Sequence, residues 1–141
     1  MIIKPIKRGV ITSGYGYRTL GGIKQFHPGI DIGVIGNPAN EAVVAAKAGK
    51  ISWINDNPAT SGGFGKVVYV QLADGWYAVY PHMSSITKGL KIGQEIKEGF
   101  QLGIMGNTGY SFGIHLHYEE RRTMAAGSSR EPIDIIKLYK A

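Results

Sequence analysis

The chain has 141 residues, a length that fits a single domain able to bury its own core. It contains no cysteine, which excludes disulfides, thiol catalysis and cysteine-ligated metal sites. The formal net charge of +6 indicates an anionic partner, such as an acidic cell-envelope polymer. The basic residues are scattered and form no stripe interleaved with aromatic residues, which argues against nucleic-acid binding.

Short apolar segments between turns predict a mainly β chain, and the 21 glycines support this interpretation. In chain order, strands are predicted at residues 10–13, twice within 40–54, and at 66–72, 76–80, 104–105 and 114–118. Loops are predicted at residues 14–18, Gly21-Gly22, 55–65 and 123–130, with turns at 73–75 and Asn107–Gly109. Residues 132–138 are predicted to form a short closing helix or turn, which completes one domain over residues 1–141.

The N-terminal segment MIIKPIKRGVITSG lacks the apolar region of a secretory signal peptide. No stretch approaches the roughly 18 apolar residues of a membrane span. We therefore expect a soluble chain without a signal peptide and without a membrane span. With no pattern that indicates assembly, a monomer is expected.

The four histidines all fall in segments that suit a catalytic metal site. His115 and His117 are separated by one residue, so on a strand they would project from the same face. His27 and Asp31, in the segment HPGID, are four residues apart across a Pro-Gly turn. His27, Asp31 and one member of the HxH pair would give zinc three protein ligands and an open fourth position, as in catalytic zinc sites. The remaining histidine, His82, follows the predicted return strand at 76–80.

Each histidine taken alone has an ordinary interpretation as a surface residue or a satisfied core residue. The combination with Asp31 at ligand spacing favours a metal site. A cupin-type metal enzyme is a weaker alternative, because Glu119 and Glu120 follow the HxH pair too closely and no histidine comes after residue 117. The helical HExxH motif of other zinc peptidases is absent.

These segments together resemble the lysostaphin/LytM-type zinc peptidases, which cut peptide bonds in bacterial peptidoglycan. The resemblance covers most of the chain, through ITSGYGYR (11–18), FHPGIDI (26–32), AAKAGKI (45–51), GKVVYVQLADGWYAVYPHMSSI (65–86), GQEIKEGFQLGIMGNTG (93–109) and HLHYE (115–119). It implies a twisted antiparallel sheet with a smaller second sheet and long loops that form a groove. It also implies that His27, Asp31 and His117 bind one zinc ion, and that His115 and His82 are catalytic. Pro81, Ile114 and Ser111–Gly113 depart from the common pattern, which leaves substrate preference and loop geometry open.

The resemblance leads to a mechanistic hypothesis in which zinc lowers the pKa of a water molecule. His115 is the better candidate for the general base, and zinc and His82 would stabilise the oxyanion, although the sequence does not decide which histidine does which. Tyr17 is interpreted as lining the groove or packing in the core. Glu119 either binds an imidazole or is solvated, and Arg18 either closes an ion pair or supports the loop.

The implied function is a zinc-dependent endopeptidase that acts on cross-links or stem peptides of bacterial peptidoglycan. Glycine bridges and D-alanine-to-diaminopimelate bonds are both open as the target. The alternative is a catalytically silent LytM-like wall-binding or activator module, against which the complete set of histidines argues. A compact catalytic domain without a signal peptide would suit a bacteriolytic phage endolysin or virion lysin, acting on the wall from the host cytoplasm. A fragment of a larger secreted hydrolase would look the same.

Overall fold

The computed structural model describes residues 1–60, 63–108 and 114–140. Ser61-Gly62 of the predicted 55–65 loop, Gly109 of the predicted turn, and Ser111–Gly113 lie outside the described residues. Within these ranges the elements are β1 (Gly9–Ser13), β2 (Gly16–Leu20), β3 (Ile23–His27), β4 (Ile30–Val34), β5 (Ala42–Val44), β6 (Gly49–Asn55), a 3-10 turn (Pro58–Thr60), β7 (Lys66–Leu72), β8 (Tyr77–Met83), β9 (Ser85–Ile86), β10 (Glu95–Ile96), β11 (Gln101–Ile104), β12 (Leu116–Arg121), β13 (Ser129–Arg130) and α1 (Ile133–Tyr139).

The described strands form one large sheet, one small sheet and one separate hairpin. The large sheet has the order β1-β4-β12-β8-β7-β6-β10, with β13 paired to β12. The small sheet has the order β5-β11-β9, and the hairpin consists of β2 and β3. All of these pairs are antiparallel. The predicted antiparallel architecture with a smaller second sheet is therefore confirmed.

The hydrophobic core fixes the position of β12 between β4 and β8. Leu116 and Tyr118 are buried in the core, where the ring of Tyr118 packs edge-on against Tyr80 with centroids 5.3 Å apart. Because side chains alternate along a strand, the residues between them project from the opposite face. A shift of one residue would turn both core residues to the polar face that carries His117, Glu119 and Arg121, so burial of these side chains determines the register of the metal-site strand.

Several predicted elements are confirmed, namely the opening strand, the two strands within 40–54, the 66–72 strand with its hairpin partner, and the closing segment, which forms α1. Among the described residues, no helix is both long enough and apolar enough to cross a bilayer.

The predicted loop at residues 14–18 is wrong. Gly16–Leu20 forms β2 and pairs with β3 through a two-residue turn at Gly21-Gly22. Both turn glycines have positive φ, 57° and 80°, which is the backbone conformation that a tight hairpin turn requires at both positions. The Gly-Gly pair was therefore a hairpin signal rather than a loop signal.

Four strand boundaries also differ from the prediction. Strand β8 begins at Tyr77 and continues to Met83, so His82 lies inside this strand rather than after it. Met105 lies outside β11, His115 immediately precedes β12, and Ser129–Arg130 forms β13 within the predicted 123–130 loop. These ends are set by backbone pairing with neighbouring strands, which the residue pattern of one segment does not contain.

Candidate metal centre

Three strands bring His27, Asp31 and His117 together. His27 is the last residue of β3, and Asp31 and His117 are direct partners in the antiparallel pair of β4 and β12. Opposite residues of an antiparallel pair project from the same face. The connection through Gly29 passes so close to the backbone of Tyr118 that a Cβ there would collide with its carbonyl oxygen. This close passage requires glycine and carries the chain from His27 to Asp31 beside His117.

The metal-binding atoms of these three side chains converge. His27 Nε2 lies 3.2 Å from His117 Nδ1. Asp31 Oδ1 lies 3.0 Å from His117 Nδ1 and 3.3 Å from His27 Nε2. Tetrahedral zinc with bonds of about 2.0–2.2 Å separates its ligand atoms by about 3.3–3.6 Å. The donor set and its spacing therefore fit zinc with three protein ligands.

Hydrogen bonds on the outer side of each imidazole fix its tautomer. His27 Nδ1 donates to the Gly14 carbonyl oxygen at 2.7 Å, and His117 Nε2 donates to Glu119 Oε2 at 2.6 Å. The lone pairs of His27 Nε2 and His117 Nδ1 can then point towards the shared space. A metal-binding histidine commonly has such an outer partner, which sets its orientation.

Without a metal, the pKa values of His117 and Asp31 depend strongly on each other's charge. Burial lowers the pKa of His117, but hydrogen bonds with Asp31 and Glu119 outweigh burial and raise it from 6.5 to about 9. Burial raises the pKa of Asp31, but hydrogen bonds and charges from His117 and His27 outweigh it and hold this pKa well below its usual range. A cation that binds here therefore meets an ionised carboxylate and must displace a proton from His117.

Glu119 binds an imidazole rather than solvent, and its second oxygen is held by Arg121. Glu119 is 2% exposed, and its Oε1 accepts a hydrogen bond from Arg121 Nε at 2.7 Å. The Arg121 guanidinium lies 5.0 Å from the centre of the Phe64 ring, and its Nη1 donates to the Met124 carbonyl oxygen. Arg121 was not predicted as a site residue from the sequence. The signal that could have found it is the i, i+2 spacing after His117 and Glu119, which places all three side chains on one strand face.

His82 lies in a β-bulge that turns its side chain towards the site. Val68 pairs with Tyr80 but Lys66 pairs with Met83, so β8 has one extra residue here. His82 has a φ of 60°, an uncommon conformation for a residue other than glycine. Bulges of this kind often redirect a side chain beside an active site.

Thr108 holds His82 in this orientation. His82 Nδ1 donates to the Thr108 carbonyl oxygen at 2.7 Å. The Thr108 hydroxyl donates to the Met83 carbonyl oxygen at 2.6 Å and accepts from the Lys66 backbone N–H at 3.0 Å. Gly65 has a φ of 63° and passes so close to Thr108 that a Cβ would collide with it. Asn107-Thr108 was predicted only as part of a turn, so this role of Thr108 is not contained in the sequence prediction.

His115 lies beside the cluster and close to His82. Its Nε2 is 3.6 Å from Asp31 Oδ1, and its ring centre is 6.1 Å from that of His82. The structure therefore brings all four histidines and Asp31 to one site, with His82 and His115 flanking the three metal-binding side chains.

Tyr17 and Arg18 differ in their relation to this site. Tyr17 is 72% exposed and packs edge-on against Phe26, so it is not a core residue. Arg18 forms the expected ion pair, with Nη1 3.4 Å from Asp31 Oδ2, and Nη1 also donates to Ser13 Oγ at 2.6 Å.

The site opens into a cavity of about 660 Å³. Its described lining consists of Arg18, Leu20, Phe26, His27, Pro28, Asp31, Gly63, Phe64, His82, His115, His117, Glu119 and Arg121. The hairpin of β2 and β3 forms one wall, and the segment before β7 forms another.

Comparisons with known proteins agree with this arrangement. The sequence profile described as peptidase family M23 matches residues 25–133, which include all four histidines and Asp31. The cell division protein DipM of Caulobacter vibrioides is 33% identical over 127 residues, which cover 90% of this chain and 19% of DipM. The DD-carboxypeptidase/endopeptidase Mpg of Neisseria meningitidis is 31% identical over 121 residues, which cover 84% of this chain and 26% of Mpg.

A solved structure supports the same relationship. The catalytic domain of the prophage-encoded M23 protein EnpA from Enterococcus faecalis superposes with a TM-score of 0.74 at 33% identity. The match covers 90% of this chain and 91% of that domain. The chain spans about a fifth to a quarter of the length of the curated relatives named above. The resemblance to lysostaphin/LytM-type enzymes is confirmed, and the chain belongs to peptidase family M23, a family of metallopeptidases of the peptidoglycan endopeptidase kind.

Proposed function

We propose that this chain is a zinc-dependent endopeptidase that hydrolyses peptide bonds in bacterial peptidoglycan. The observation that carries the proposal is the convergence of His27 Nε2, Asp31 Oδ1 and His117 Nδ1 within 3.3 Å of one another. Both imidazoles are held by outer hydrogen bonds in the tautomer that a metal needs. A site with three nitrogen and oxygen donors and an open position suits catalytic zinc.

When bound, zinc supplies a Lewis acid that lowers the pKa of water and polarises the scissile carbonyl. His82 is suited to accept the proton of the attacking water. Its Nδ1–H is committed to Thr108, so the neutral ring presents Nε2 as an acceptor. Burial lowers the pKa of His82, and the nearby His117 and His115 lower it further, which outweighs the hydrogen bond to Thr108. A neutral His82 is therefore favoured near pH 7.

His115 is suited to the complementary role. Its Nε2 lies 3.6 Å from Asp31 Oδ1, a proposed metal ligand, so the ring lies where it can stabilise the developing oxyanion beside the metal. The carbon–nitrogen bond then breaks, and the proton taken from water passes to the departing amine. This assignment reverses the preference for His115 as base that we drew from the sequence.

The names of relatives support peptidoglycan as the substrate. Mpg is named as a DD-carboxypeptidase/endopeptidase, and EnpA is described as prophage-encoded, which supports a phage lysin as one origin of this chain. Zinc as the metal, action at the cell wall, attraction to anionic wall polymers, a monomeric state and a single domain over residues 1–141 stay predictions.

Digestion of purified peptidoglycan tests the proposal. The zinc-loaded protein is incubated with glycine-bridged and with diaminopimelate-type peptidoglycan, beside a chelator-treated sample and the His115→Ala variant. Mass spectrometry should show new amino termini only with zinc and with an intact His115. Zinc binding without cleavage of either polymer would support the catalytically silent wall-binding or activator module.

A further inference from the structure

The guanidinium of Arg18 is only partly satisfied. Its Nη1 donates to Ser13 Oγ and Asp31 Oδ2. Its Nε is buried without an acceptor, and among the described residues no acceptor is found for Nη2 either. Nε and Nη2 together form the edge with which arginine binds a carboxylate through two parallel hydrogen bonds. A buried donor without an acceptor costs free energy and indicates a missing partner.

This unsatisfied edge belongs to a residue of the metal-site cavity. Arg18 lines the cavity and contacts Asp31, a proposed metal ligand, at 3.4 Å. The other arginine of the cavity, Arg121, is committed to Glu119 and is 5% exposed, whereas the Arg18 side chain is 29% exposed. Arg18 and Arg121 balance Asp31 and Glu119, so a bound divalent cation leaves the cavity positively charged. The cavity is therefore complementary to an anionic group on the substrate.

We propose that Arg18 is a specificity residue that binds an α-carboxylate on the residue directly after the scissile bond. The inference rests on the proposed peptidase function. Such a carboxylate is three covalent bonds from the attacked carbonyl carbon. A cationic side chain that binds this carboxylate must therefore lie beside the metal centre. Arg18 does so, because it contacts Asp31.

This role selects one class of peptidoglycan bond. A C-terminal D-alanyl-D-alanine and a D-alanine-to-diaminopimelate cross-link both have a free α-carboxylate directly after the scissile bond. A glycine bridge has none, because each glycine carboxyl group is part of the next amide. Arg18 thus favours the bonds next to a carboxylate. The name of Mpg, which combines carboxypeptidase and endopeptidase, agrees with one site that serves both kinds of bond.

Two matched peptides test the role of Arg18. One is an N-acylated stem pentapeptide that ends in D-alanyl-D-alanine with a free carboxylate, and the other is its C-terminal carboxamide. Wild type, Arg18→Gln and Lys24→Gln are compared by kcat/KM for each peptide. Lys24 is the control because it lies on the same hairpin, stacks on Tyr17, and loses the same charge. Analogues with a reduced, uncleavable final bond give the corresponding Kd values by calorimetry with zinc-loaded protein.

The wild type and Lys24→Gln should prefer the carboxylate peptide by about ten- to hundredfold in kcat/KM and in Kd. This is the factor in affinity that a charge-assisted hydrogen bond contributes. Arg18→Gln should lose this preference. Equal losses of kcat/KM for both peptides in Arg18→Gln would show that Arg18 only supports Asp31. A preference for the carboxylate peptide that persists in Arg18→Gln would also overturn the proposal. If wild type cleaves neither peptide, the pair of Kd values still decides whether Arg18 binds the carboxylate, and the digestion of purified peptidoglycan decides the proposed function separately.

Discussion

The Nε2 atom of His117 lies 2.6 Å from Oε2 of Glu119, two residues further along the same strand. Because residues two apart share a strand face, one short segment supplies both a metal-binding imidazole and the carboxylate that orients it. The orientation of His117 therefore depends on a buried side chain and is protected from competition by water.

We expect Glu119→Gln to weaken zinc binding about ten- to hundredfold, because the neutral amide holds the His117 N–H less strongly and cannot pair with Arg121. Competition with a chelator of known affinity measures the change. Glu95→Gln, which alters an exposed carboxylate on β10, is the matched control and should bind zinc like the wild type. Normal zinc affinity in Glu119→Gln would show that this carboxylate does not orient His117.

Glu120, the next residue, should affect stability rather than metal binding. It is 1% exposed on the opposite strand face, where it accepts hydrogen bonds from Arg130 and Tyr118 and pairs with Lys47. Glu120→Ala leaves these partners uncompensated, so the free energy of unfolding should fall by about 3–5 kcal/mol. Denaturant unfolding of the metal-free protein measures this loss, and zinc affinity of the folded variant should stay within about threefold of wild type. A loss below about 1 kcal/mol would contradict the role of this buried network.

Zinc binding should depend on pH through His117. The pKa of His117 is about 9 in the metal-free protein, so below this value a proton competes with zinc for the imidazole. We expect zinc affinity to rise about tenfold per pH unit towards pH 9 and to level off above it. Calorimetry at pH 7.5 in two buffers of different ionisation enthalpy should report about one released proton. Binding without proton release would rule out a protonated His117.

The same pKa gives the metal-free protein the opposite pH dependence. The folded-state pKa of His117 lies above its ordinary value of 6.5, so its contribution to stability is present below pH 6.5. This contribution is lost as pH rises through about 9. Thermal unfolding of metal-free protein should therefore show a decline over this range that is absent in His117→Gln. An equal decline in both would assign it to other groups.

Gly65→Ala should impair catalysis without removing the metal. A Cβ at this position collides with Thr108, whose carbonyl oxygen holds His82. We expect kcat to fall about tenfold or more while zinc affinity is retained, because His82 loses its orientation. Gly75→Ala is the matched control, since Gly75 also has positive φ but no atom within 4 Å of an added Cβ. If both variants lose activity equally, backbone strain rather than Thr108 is responsible.

The pH profile of kcat/KM tests the role of His82 as proton acceptor. Burial and the neighbouring histidines lower its pKa from 6.5, so the acidic limb of the profile should have its midpoint below 6.5. Activity is lost as pH falls through this value, because the base becomes protonated. A midpoint above 6.5 would contradict the role of His82 as proton acceptor.

The sequence predicted the strands whose pattern is local. The β-branched run of β7 and the Asp-Gly hairpin signal define a segment that needs no distant partner to be recognised. The resemblance to a known family identified the metal-binding residues, and the strict alternation around His117 placed it opposite the core residues Leu116 and Tyr118. The hairpin of β2 and β3 was missed because its short, exposed strands have few buried side chains and therefore no clear hydrophobic alternation.

Tertiary structure alone decided which groups surround each histidine. The partner of His27 is the carbonyl oxygen of Gly14, and the partner of His82 is that of Thr108, both of them backbone groups without a residue-specific signal. The bulge that turns His82 depends on a mismatch in pairing between β7 and β8. Residue spacing therefore indicated a metal site, and the resemblance to a known family implied that it is the site of a peptidase. Long-range packing determined the tautomers, charges and orientations that give each side chain its chemistry, because these depend on neighbours that are up to about ninety residues away in sequence.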